Sequence, residues 1–167
     1  MQKRSFLEES LRLAREADDK ETIFHAIFQR ARLSAKTGEL GKAEEIYRQC
    51  VDFCSQNDFT RHAAMARLGL ARVTALQGDF RRAVAVTREC LAVLRREKYQ
   101  NSIAFALHDL GEYACELGDL DSAKESFVEA LQLFEKIGMP GGTAACLRGL
   151  AEVAKNTDMN DRAVRLF

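Results

Sequence analysis

Residues 107–134 read LHDLGEYACELGDLDSAKESFVEALQLF, and their spacing decides the fold. Leu107, Leu110, Gly111 and Ala114 are three, one and three positions apart, which places all four on one face of a helix. Gly118 ends that helix, because glycine tolerates the left-handed conformation in which the trailing carbonyls are satisfied. Asp119 follows as the N-cap of the next helix. Leu120, Ala123, Phe127, Ala130, Leu131 and Phe134 then line one face of that second helix. The stretch is a helical hairpin.

Outward from it, the hairpin recurs. Gly38, Gly78 and Gly118 stand forty residues apart, each followed five residues on by Ala43, Ala83 or Ala123, and Asp158 with Ala163 continues the series. Leu70 and Leu150 repeat Leu110, while Ala71 and Ala151 repeat Gly111, a small side chain that lets two helices approach closely. A fixed period of this size marks a solenoid, in which stacked units share one core. The expected helices are 3–17, 21–37, 40–56, 60–77, 80–97, 100–117, 120–137 and 141–156, with a stub from 160. Turns are expected near 38, 58, 78, 98, 118, 138 and 158, with Leu70, Leu110 and Leu150 buried alike. Pro140 suits a first helical turn, and Gly141 and Gly142 after it read as loosening a helix start. Residues 1–167 thus form an all-α single domain of about four repeats. The chain begins on the second helix of a unit and ends on a helix too short to bury Val164, Leu166 and Phe167. That suggests a piece of a longer protein, able to self-associate through its exposed terminal helices.

Composition narrows the function classes. Of 167 residues, 47% are apolar, with one Pro and no Trp, which suits helices rather than sheets. Lys plus Arg equals Asp plus Glu at 25 each, so no net field draws the chain to a polyanion, and generic nucleic-acid binding is not expected. Glu8, Glu9 and Arg12 interrupt the apolar run a signal peptide needs, and no stretch approaches a membrane span. The chain reads as soluble and cytoplasmic.

The order Leu107, Leu110, Gly111, Gly118, Leu120, Ala123, Phe127, Ala130 resembles the tetratricopeptide repeat, with large, large, small on the first helix and Tyr-like, Ala, Phe, Ala on the second. Forty-residue units of this type are similar to those of kinesin light chains and of the C-terminal sensor region of large bacterial regulatory ATPases. Cys146–Ala154 followed by Arg162–Phe167 looks like the last units of such regulators. The resemblance implies a right-handed superhelix of antiparallel helix pairs that recognises a protein, a peptide or a small inducer on its inner surface, without catalysis.

In that family the inner surface is lined by a stripe on the first helices. Here the stripe is His25, Phe28, Arg32 and Lys36; then Met65, Leu68, Arg72 and Leu76; then Phe105, His108, Glu112 and Glu116; then Ala145, Arg148, Glu152 and Lys155, each set spaced three and four apart. These residues are the expected binding site for a protein or peptide segment, apart from Leu76 and Ala145. Its charge passes from Arg32 and Arg72 to Glu112 and Glu152, a polarity that could orient an extended ligand. Taken singly, the apolar members read as packing between units and the charged ones as solvated. A small-inducer sensor in a multidomain regulator is the alternative function. Cys50, Cys54 and Cys90 read as core residues, and the five cysteines lack zinc-finger spacing. His25, His62 and His108 lie in separate units, and a metal or general-base role would need partners from elsewhere in the fold. No nucleophile, cofactor motif or metal set is legible, so neither an enzyme nor a cofactor is expected.

Overall fold

The structure, a computed structural model, describes the backbone of residues 2–166 and the side chains of residues 6–157. Its eight helices are α1 (Gln2–Glu16), α2 (Lys20–Lys36), α3 (Leu40–Gln56), α4 (Thr60–Leu76), α5 (Phe80–Arg96), α6 (Gln100–Glu116), α7 (Leu120–Ile137) and α8 (Pro140–Leu166). Among the described residues there is no strand. The helices fall into two compact units, residues 1–78 with α1–α4 and residues 79–167 with α5–α8. Within each, consecutive helices pack on one another, and the first helices of adjacent repeats, α2 with α4 and α6 with α8, also touch.

The turns fall every twenty residues, where the spacing placed them through 138. A left-handed residue stands at Asp18, Gly38, Asp58, Gly78, Lys98, Gly118 and Gly138, one every twenty positions. Glycines mark only four of these; at the other three Asp or Lys takes the strained conformation. The turns close alike: the N–H after the left-handed residue donates back to the helix end, Glu39 to the Ser34 carbonyl, Phe59 to Cys54 and Asp119 to Ala114, each at 2.9 Å. Asp19, Asp79 and Asp119 then cap the next helix, accepting from the N–H groups of Thr22, Arg82 and Ser122 at 3.0–3.1 Å.

The expected break near 158 does not occur; α8 runs from Pro140 through the stub to Leu166. Asp158 is followed by Met159 and Asn160, whereas the turns at 38, 78 and 118 offer Glu39-Leu40, Asp79-Phe80 and Asp119-Leu120. Both the capping carboxylate and the apolar residue that seats the next helix are missing. Val164, Leu166 and Phe167 lie outside the residues whose side chains are described.

Packing follows a plug-and-socket rule. Phe127 of α7, 1% exposed, sits between Gly111 of α6 and Gly149 of α8, where an added Cβ would lie 2.6 Å from its ring in either case. Tyr47 of α3 meets Gly69 of α4 just as closely, and the ring of Phe134 presses on Gly142, which is therefore a packing position rather than a loosened helix start. The plug thus uses two registers: the Gly111 place on its own hairpin partner, filled by fully buried Ala31 in unit 1, and the place of Gly69 and Gly149 on the following first helix. Helix α5 departs from the rule. It carries Thr87 where its neighbours carry the aromatic plug, and α6 carries buried Asp109 at the Gly69 place.

Two expectations need correction. Leu110 is buried, but Leu70 and Leu150 are only half-buried at the equivalent places. Ala151, expected to face a close helix, is exposed, because α8 continues straight where a second helix would fold back over it.

Candidate binding face

The stripe on the first helices separates into a floor and a rim. At the floor, Phe28 stacks on Phe24 at 5.4 Å and meets Tyr47 at 5.6 Å, Leu68 is buried, and His108 lies edge-on to Phe127 at 5.6 Å. One repeat position is thereby pinned to the core plug, and Leu68 leaves the candidate surface altogether. Met65 is half-buried on α4, and Phe105 is 42% exposed although its ring meets Phe134 at 5.1 Å. At the rim, His25, Arg32, Lys36, Arg72, Glu112, Glu116, Arg148, Glu152 and Lys155 are all exposed. In unit 1 the rim is basic through Arg32, Lys36 and Arg72. In unit 2 it carries Glu112, Glu116 and Glu152 beside Arg148 and Lys155.

The structure joins what the sequence left apart. The rings of His25 on α2 and His62 on α4 lie 5.8 Å apart, T-shaped, with Phe24 at 4.5 Å and Phe59 at 5.2 Å from His62. His62 is buried, its Nε2 accepts from Arg61 Nη2 at 2.9 Å, and Glu21 Oε1 lies 3.7 Å from the same nitrogen. Arg61 also reaches Glu21 at 3.5 Å. Sequence reasoning missed Glu21 and Arg61, yet a signal existed: they are opposite charges one period of forty apart. His108 stays on another unit, 4.0 Å from Asp109 and 3.9 Å from Glu112.

Burial, Arg61 and His25 together lower the pKa of His62, while Glu21 opposes them weakly. Protonation is thus disfavoured in the fold relative to the unfolded chain, where an ordinary histidine titrates near ~6.5. The stability this site contributes is full above that value and is lost as pH falls through the lowered folded pKa. Melting midpoints measured from pH 7.5 down to 4.5 should drop more steeply for the native chain than for His62→Phe, and parallel curves would remove His62 as the cause.

Four of the five thiols are shut away from solvent. Cys50, Cys54, Cys90 and Cys146 are buried and unpaired by disulfides. Desolvation pushes Cys50 up to about 12 and Cys54 up to about 11, so neither forms the reactive thiolate. Among the described residues no helix is long and apolar enough to cross a membrane.

The sequence pattern of the tetratricopeptide repeat matches residues 102–167 and, again, residues 24–57. No curated protein matches the chain. Solved structures do. The TPR domain of Arabidopsis FLU is similar at a TM-score of 0.63 and 20% identity, covering 70% of this chain and 98% of that one. A putative kinesin light chain of Podosopora anserina with nearly identical TPR-like repeats gives 0.66 and 17%, covering 98% and 81%. The apo form of RapI gives 0.73 and 15%, covering 96% of this chain and 45% of that one. At such identities the likeness concerns the fold. Two pattern matches, a helix pair of constant length and aromatic plugs seated on glycine sockets agree, and the chain belongs to the tetratricopeptide repeat family.

Proposed function

We propose that this chain is a non-catalytic docking module that receives a protein segment along the stripe of its first helices, within a regulatory protein of a reducing, cytoplasmic compartment. Tetratricopeptide folds generally serve as protein-interaction scaffolds and are generally non-catalytic. The observation that carries the reading is the rim: Arg32 and Arg72 occupy the same repeat position on the touching helices α2 and α4, both exposed, above a floor fixed to the core. Such a row presents like charges at a set spacing on a rigid base, which suits an extended segment with an acidic end. Cysteines held without disulfides agree with a reducing compartment. Two surface hollows, of about 420 Å³ by Glu8, Arg12 and Arg30 and of about 560 Å³ by Asp121 and Glu125, lie away from the stripe and lack the enclosed apolar walls of a small-molecule site.

The test is charge reversal. Arg32→Glu with Arg72→Glu should weaken binding of an acidic peptide about tenfold or more, mainly through slower, more salt-sensitive association. Circular dichroism should stay unchanged, since exposed substitutions usually shift stability by less than about 0.5 kcal/mol. Arg81→Glu with Arg82→Glu, exposed on α5, is the control. A loss from the outer pair and none from the inner pair would reject the stripe as the docking face.

A further inference from the structure

We propose that Glu21, His25 and His62 form a transition-metal site that clips α2 to α4, with zinc(II) as the ion it fits best. Their ligand atoms already lie within 4.8 Å of one another. Bonds of about 2.0–2.1 Å to a tetrahedral zinc bring neighbouring ligand atoms to roughly 3.3 Å, so closure needs a movement of about 1.5 Å. The two residues that must move can do so: Glu21 and His25 are exposed, four apart on one face of α2. The third is fixed. His62 comes from the first turn of α4, buried and held between Phe24 and Phe59. A fixed imidazole spares the site the cost of ordering that ligand when the metal binds.

The strongest support is that these donors already hold a cation. Arg61 Nη2 sits 2.9 Å from His62 Nε2 and 3.5 Å from Glu21 Oε1, so two of the three donors converge on a guanidinium. A zinc ion asks for the same seat with a higher charge, and Arg61, whose side chain is 29% exposed, has solvent to swing into. Two imidazoles and one carboxylate suit zinc rather than magnesium or calcium, whose ligands are oxygens. The fourth position is left to water. The cysteines do not compete, because burial disfavours the thiolates of Cys50 and Cys54.

The experiment is calorimetric titration of the full chain with zinc sulfate, with cobalt(II) absorbance as a spectroscopic report of coordination. One ion should bind with a dissociation constant on the order of 10 µM or tighter, and the melting midpoint should rise with zinc concentration. His25→Ala, an exposed change that leaves the fold intact, should weaken binding at least about tenfold, the scale on which even outer-shell partners of a metal act. His62→Ala should do the same, and Arg61→Ala should tighten binding by removing the resident cation. His108→Ala should change nothing, although His108, Asp109 and Glu112 form a second cluster of possible ligands. Absence of saturable zinc binding, or binding indifferent to His25→Ala, overturns the site.

Discussion

Truncating Phe127 to Ala should lower the unfolding free energy by about 3–5 kcal/mol, the range for a large aromatic removed from a closed core. The upper half of that range is expected. Phe127 is 1% exposed and is touched by three helices, its own α7, α6 through Gly111 and α8 through Gly149. Those two contacts are backbone against ring, and a helix backbone cannot repack as a side chain can, so the space left behind stays empty. His108 also loses its edge contact, which exposes a half-buried imidazole to a void. Against a total stability of roughly 5–15 kcal/mol for a domain of this kind, the loss takes the variant close to unfolding at room temperature. Urea titration should show the midpoint falling. Phe127→Leu, which keeps much of the volume, should lose less than half as much, and a loss below about 1 kcal/mol for Phe127→Ala would mean that the plug does not organise unit 2.

The elements were legible because their signals are local. Hairpin boundaries follow from residues that punish any alternative: Gly118 with Asp119, or Pro140 at a first turn, and these stand where the spacing placed them. The turns were placed every twenty residues, but that Asp18, Asp58 and Lys98 take there a conformation glycine adopts freely was not legible, because no residue type announces that strain. The failed break at 158 was legible in principle, since in its register Glu39-Leu40, Asp79-Phe80 and Asp119-Leu120 are replaced by Met159-Asn160. The stripe was half legible: helical spacing found the exposed rim, but spacing alone does not say which member faces inward. Leu68 is buried, and Met65, three residues earlier, is only half-buried. Of the histidine cluster only the pairing of Glu21 with Arg61, one period apart, was legible; that His25 meets His62 depends on how the N-terminal turns of α2 and α4 pack.

The second large effect concerns the sockets, and its sign is the informative part. Replacing a glycine inside an exposed helix by alanine normally stabilises by about 0.5–1 kcal/mol, because alanine loses less chain entropy on folding. Gly111→Ala should instead destabilise by about 1–3 kcal/mol, the cost of overpacking a filled core. Its new Cβ would stand 2.6 Å from Phe127 Cε1, and the ring has little room to retreat, because a Cβ at Gly149 would likewise lie 2.6 Å from its Cζ, so helix backbone closes on it from α8 as well. Gly69→Ala meets Tyr47 in the same way in unit 1, so both units should respond. Gly141→Ala, with nothing within 4 Å, is the control and should be neutral or slightly stabilising. The decisive variant is the double one. In a Phe127→Leu background the socket has room, so adding Gly111→Ala should cost little or even recover stability, a coupling of at least about 1 kcal/mol between the two positions. Strictly additive losses would show that the glycine serves the helix backbone alone, and that plug and socket are not one unit of packing.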